Sequence, residues 1–154
     1  MKLAITGTYP PEWKQISDET CAAAGHRCIR CCHPYTKGKH GKGQWTPCDA
    51  GCRHAGPINT INGRVCAEWR ILTTHHLDGN KSNCAWWNLL ALCQRCHLQI
   101  QTTVDPRLPY FLEHSEWFKP YVAGFYAKKY EGSDITREEA IARLDELLFW
   151  EKLA

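Results

Sequence analysis

No apolar run in this 154-residue sequence approaches the ~20 residues that a membrane-spanning helix needs, so no membrane span is expected. A secretory leader is not expected either. Only Lys2 and a few apolar residues precede Pro10 and Pro11 in the opening MKLAITGTYPPEWK. Without export, the expected location is cytoplasmic and reducing, where disulfides are rare. Net charge is also low, only +3. Internal repeats of useful length are missing, which excludes solenoid and array folds. The apolar fraction is ordinary for a globular chain, which excludes disorder for the bulk of it.

Cysteine is abundant instead. There are ten, beside seven tryptophans and six tyrosines that supply stiff packing groups. One compact domain with an appended helical piece is expected at this length. A loop-rich chain of this size has a modest core, and a structural metal would help hold it. Two C-x-x-C knuckles stand out, Cys28/Cys31 and Cys93/Cys96. Each sets two sulfurs on one side of a tight turn, half of a tetrahedral zinc site. Together they predict a closed four-thiolate zinc that staples two distant segments. A second zinc held by Cys48, Cys52, Cys66 and Cys84 is a further expectation, with His33 and His54 as rival ligands. The competing reading makes several of these cysteines small buried apolar residues.

Charge is unevenly spread. Between residues 25 and 70 the bases are Arg27, Arg30, Lys37, Lys39, Lys42, Arg53, Arg64 and Arg70, against Asp49 and Glu68. A polyanion would bind this half. The Gly- and Lys-rich run 35–45 reads as an exposed loop. The C-terminal part tilts acidic through Glu138, Glu139, Asp145, Glu146 and Glu151.

Local patterns give a coarse order of elements. Ser17 or Asp18 is read as the cap of a short helix. Residues 69–74, WRILTT, read as a strand, and the turn-rich residues Asp78, Gly79, Asn80, Ser82 and Asn83 read as a loop. A returning strand at 89–92 and a helix opened by the second knuckle follow. Beyond Asp105 the aromatic residues read as core-packing helices in two pieces divided near Pro120. The last helix opens on a capping box, Thr136 to Glu139, with Ile141, Leu144, Leu147 and Leu148 as its apolar stripe. The fold class is therefore α+β. Three segments are expected: residues 1–24, a zinc-stapled domain at 25–104, and a helical extension at 105–154.

The densest chemistry lies in residues 74–101, THHLDGNKSNCAWWNLLALCQRCHLQIQ. Neighbouring strand residues point to opposite sides, so His75 and His76 are given different jobs. One binds a metal and the other faces a substrate as general base. His97, in the first turn of the helix, can return to the same metal. The Asn88 amide can bond loop backbone and hold the His-bearing strand end.

These residues, His75-His76, then Asn88, then Cys93 and Cys96 with His97 behind them, resemble the HNH endonucleases of the ββα-metal (His-Me finger) type. The likeness covers roughly residues 28–101 and is closest to versions from bacteriophages and their hosts. It implies a ββα-metal core that hydrolyses DNA phosphodiesters, with His75 and His97 on the catalytic metal, His76 as general base and Asn88 as brace. It implies 5′-phosphate and 3′-hydroxyl products. Where the family often has another histidine or asparagine, this chain has Gln101. With His75 in place of a family aspartate, manganese, cobalt, nickel or zinc is expected to serve better than magnesium.

Lys37, Lys39, Lys42 and Arg95 are expected to grip phosphates of double-stranded DNA without reading sequence. No long recognition helix is apparent, so low intrinsic specificity is expected. One site predicts a nick, and a double-strand break needs a homodimer or two events. If the chain is phage-encoded, its setting is the bacterial host cell. Two rival readings keep the zinc but drop the chemistry: a zinc-ribbon nucleic-acid binder in which His97 is structural, and an adaptor built on a degenerate nuclease fold.

Overall fold

The computed structural model describes residues 4–37, 43–44, 51–52, 59–60, 63–64, 71–108 and 115–153, with backbone alone in the four two-residue strands. The elements run α1 (Trp13–Ala23), β1 (Thr36–Lys37), β2 (Gly43–Gln44), β3 (Asn59–Thr60), β4 (Gly63–Arg64), β5 (Leu72–His76), β6 (Leu89–Cys93), α2 (Gln94–Thr103), α3 (Lys119–Tyr126), α4 (Arg137–Ala142) and α5 (Leu144–Leu148). The mixture of helices with small antiparallel strand pairs is α+β, as expected. β1 pairs with β2 and β3 with β4, both antiparallel. β5 pairs with β6. Backbone bonds from Gln94 N to Ile71 O and from Leu77 N to Asn88 O bracket that pair and set it antiparallel. Among the described residues no helix is long and apolar enough to cross a membrane.

Contacts divide the chain into two compact units. One holds Tyr9–His75 and Leu90–Ile100, the other Met1–Thr8, His76–Leu89 and Gln101–Ala154. The division does not follow the segment limits at residues 24/25 and 104/105. Residues 76–89 group with the C-terminal helices, and α1 groups with the knuckles.

In the knuckle unit, α1 begins earlier than its polar residues suggest. Trp13 N bonds Pro10 O at 3.0 Å, and Glu12 occupies the cap position without a side-chain bond. Ser17 and Asp18 are therefore inside the helix and do not cap it. Each has another partner: the Ser17 hydroxyl lies 2.8 Å from that of Thr74, and Asp18 pairs with Lys14 one turn earlier. β5 also sits further along than residues 69–74. It includes both His75 and His76, while Trp69 and Arg70 lie outside the described residues. β6 is buried at all five positions, a run of LLALC with no polar face.

In the other unit, α3 starts at Lys119 with Pro120 in its first turn, where proline lacks only an N–H that no helix bond would use. Pro120 thus opens a helix, while most of the piece expected before it, residues 109–114, lies outside the described residues. The Thr136–Glu139 capping box forms as the sequence predicts, a device worth about 1 kcal/mol. The stripe beyond it is interrupted. The helix breaks at Arg143, whose guanidinium bonds Glu131 and Glu146. Leu147 is fully buried, but Ile141 is 54 % exposed. Ala123, Ala127, Ala140 and Leu147 form the cluster here, with Trp86, Ile135, Leu144 and Trp150 against it. The Trp86 indole N–H donates to Ile135 O at 2.8 Å, so the ring is both packed and polar-satisfied.

Gly124 permits that packing. A Cβ there would stand 2.7 Å from Trp86 Cζ2 and 2.8 Å from Trp87 Cβ, closer than atoms tolerate. Gly124→Ala is expected to destabilise by about 1–3 kcal/mol, through overpacking against two rings that are themselves held. Denaturant melting checks this; an unchanged midpoint would contradict the packing described.

Candidate functional site

The four knuckle cysteines converge inside one unit. Cys28, Cys31, Cys93 and Cys96 are all buried free thiols, and their sulfurs lie within 4.8 Å of one another. Cys31 Sγ and Cys93 Sγ are 3.9 Å apart. A tetrahedral zinc with Zn–S near 2.3 Å needs sulfurs about 3.8 Å apart, so a small contraction would complete the site. The chain is built to bring them there. Ile29 N bonds Ala91 O at 3.0 Å, which pins the first knuckle to β6. Cys32 N returns to Cys28 O at 2.8 Å to close the knuckle turn, and Cys32 takes a positive φ of 59°. That conformation is strained for a residue with a side chain and persists only where its surroundings hold it. The Arg27 guanidinium bonds Cys32 O at 2.9 Å.

The electrostatics also favour a cation. Hydrogen bonds from Cys28 and Cys31 hold the Cys93 thiol far below its ordinary range and Cys96 down to about 7. Cys31 is pushed up by Cys28, Cys93 and Cys96 and by burial. Four thiols in a dry pocket cannot all ionise unaided, whereas a divalent ion would let them. Arg30 adds positive charge, its Nη1 standing 3.6 Å from Cys96 Sγ and also bonding the Gln99 side chain. The set can hold a structural metal such as zinc.

The same unit gathers the histidines at the β5 end and the α2 start. The His75 and His97 rings lie 4.3 Å apart between centroids, tilted by 50°. His75 is 9 % exposed and His97 half-buried. Burial lowers the His97 pKa, which favours the neutral ring a metal requires. Alternation along β5 is visible in the contacts. Thr73 Oγ1 meets Leu92 O and His97 Nδ1, whereas Thr74 Oγ1 meets Ser17 and Cys21 on α1. Thr73 therefore faces α2 and Thr74 faces α1.

His76 and Asn88 belong to the other unit. Asn88 is fully buried, and its amide is used completely. Its Oδ1 accepts from Asp78 N at 2.8 Å, and its Nδ2 donates to Asp78 Oδ1 at 2.9 Å and to Asn83 O at 2.8 Å. Asp78 in turn accepts from Asn80 N and from Asn83 Nδ2. Asn88 thus ties the loop after His76 together, and its own backbone oxygen receives Leu77 N. His76 is 8 % exposed, and burial lowers its pKa, more than the Asp78 charge raises it.

Other expected residues fare differently. Arg95 is exposed on α2, as a phosphate contact would need, and Gln101 is exposed as well. The side chain of Lys37, and Lys39 and Lys42 entirely, lie outside the described residues. So do Cys48, Cys66 and His54 of the second zinc expectation. Of the rest, Cys52 Sγ stands 3.5 Å from Nδ1 of the buried His33, while Cys84 belongs to the other unit. Among the described residues the four-cysteine group is the one cluster of three or more metal-binding side chains. Sequence reasoning gave no site role to Thr73, Asp78 or Asn83, and took Arg30 only as one base of the polyanion-binding half. Only Thr73 carried a usable signal, its place two residues before His75 on the same strand face.

Family models, curated proteins and solved structures were all compared with the chain, and none matches it.

The metal reading of the sulfur cluster makes a direct prediction. Metal analysis of the purified protein should find about one tightly held zinc per chain. Cys93→Ser should lose that zinc and the cooperative melting transition with it, because structural zinc contributes folding free energy. A Cys93→Ser protein that keeps both would refute the site.

Proposed function

We propose that this chain is a metal-dependent endonuclease of the HNH, ββα-metal type that hydrolyses phosphodiester bonds of double-stranded DNA. One observation carries the reading. His75 at the end of β5 and His97 at the start of α2 bring their rings together, 4.3 Å apart, beside the motif order His-His, Asn, Cys-x-x-Cys-His. Two neighbouring imidazoles of this kind would be able to hold one divalent ion between them.

In this reading His75 and His97 would hold a divalent ion, which would supply charge stabilisation as the phosphodiester is cleaved. His76, whose low pKa keeps it unprotonated near neutral pH, takes a proton from the attacking water. The water oxygen bonds to phosphorus, the bond to the 3′ oxygen breaks, and a proton from solvent completes the hydroxyl. Asn88 holds the loop that follows His76 through the bonds to Asp78 and Asn83. Arg95, exposed on α2, would meet a neighbouring phosphate. Histidine ligands favour manganese, cobalt, nickel or zinc over magnesium, which prefers oxygen donors.

The test is relaxation of supercoiled plasmid by the zinc-loaded protein with each metal added in turn. Manganese, cobalt or nickel should support nicking faster than magnesium. His76→Ala should lower the rate by at least about 100-fold while its zinc content stays unchanged. Undiminished cutting by His76→Ala would remove the base assignment. No cutting with any metal would leave a zinc-ribbon nucleic-acid binder as the better reading.

A further inference from the structure

His97 can bind a metal only through a ring nitrogen that carries a lone pair, and a neutral imidazole has one such nitrogen and one N–H. Which is which depends on what the other nitrogen meets. His97 Nδ1 meets Thr73 Oγ1 at 3.4 Å, and that same oxygen lies 3.1 Å from Leu92 O. A carbonyl oxygen can only accept, so the shorter contact takes the single hydroxyl proton of Thr73. Oγ1 then has only lone pairs to offer His97. A favourable contact requires Nδ1 to arrive as N–H, which leaves the lone pair on Nε2.

We propose that Thr73 is a positioning residue that sets the His97 tautomer, presenting Nε2 as the metal-binding nitrogen. The relay runs from Nδ1–H of His97 to Oγ1 of Thr73, and from the Thr73 hydroxyl to Leu92 O on β6. Its far end is anchored, since Leu92 is fully buried. Its middle is stiff, because a β-branched threonine on a strand has few χ1 choices. Metal-bound histidines commonly rely on such a partner for orientation and basicity. The strand register explains why threonine stands here. Thr73 and His75 share the face toward α2, so one strand would supply a ligand and the orienting group for the other ligand.

This inference rests on the nuclease reading for the role of His97, and the test separates the two. The full chain, zinc-loaded and labelled with nitrogen-15 at histidine, would be recorded by long-range proton–nitrogen correlation without added divalent metal. The His97 signals are assigned by their loss in His97→Gln. The expected spectrum has the proton on Nδ1. A proton on Nε2 overturns the proposal whatever the protein does to DNA.

Cobalt binding would then be titrated into the parent, Thr73→Val and Thr73→Ser, with zinc content and melting temperature as checks on the fold. Thr73→Val keeps the shape and loses the hydroxyl, and should bind cobalt about 10- to 100-fold more weakly, while Thr73→Ser should stay within about threefold of the parent. Parental affinity in Thr73→Val overturns the proposal. A parent that binds no cobalt beyond its zinc overturns the ligand role of His97, and with it the nuclease reading, while the tautomer spectrum still judges Thr73 alone.

Discussion

Four sulfur atoms held within 4.8 Å of one another in a dry interior are the constraint on which the knuckle unit depends. They join the turn after α1 to the junction of β6 and α2, segments more than sixty residues apart in sequence. Without a cation the arrangement is costly, because the thiols compete for protons in a place that disfavours charge. With one, the same four groups tie loop-rich sequence to a short strand pair that would not be stable alone. The strained backbone at Cys32 and the hydrogen bond from Ile29 to Ala91 are the local consequences of holding that turn.

Fixing the start of α2 has a second effect. Cys96 and His97 are adjacent, so the helix turn that faces its sulfur into the cluster also commits the direction of the imidazole. His97 meets His75 and Thr73 on β5 because β6, fully buried, carries the second knuckle directly into the helix. A structural ion and a catalytic ion would then divide the labour in the proposed enzyme. One would be closed by four sulfurs and rigid. The other would be open, with nitrogen ligands oriented by the helix start that the first one fixes. Asn88 does comparable work for the loop behind His76, spending all three of its hydrogen bonds on backbone and on Asp78.

Much of this was legible in the sequence, for physical reasons that also explain the exceptions. Two knuckles, a capping box and a fully apolar strand have local signatures, and the cysteine cluster, the Thr136 cap and β6 appear in the structure. Ser17 misled because a polar residue near a helix start suggests a cap, whereas its hydroxyl reaches Thr74, fifty-seven residues away. Ile141 misled because helical spacing assumes a continuous helix, and Arg143 interrupts this one to bond Glu131. The grouping of residues 76–89 with the C-terminal helices depends on Trp86 and Trp87 packing against Gly124, a contact between distant segments. Thr73 was hard to weigh for a subtler reason. A threonine in a strand is ordinary, and its meaning lies in which two acceptors or donors its one oxygen meets.

The central claim is that two metal positions with different chemistry share one helix start. It is tested most directly by chelation at a strength that removes nitrogen-held metal and leaves the sulfur-bound zinc. The account predicts that plasmid cleavage stops, that zinc content and melting temperature are retained, and that added manganese restores cleavage. Cleavage that continues with the sulfur-bound zinc alone, or that fails to return with added metal, would contradict it.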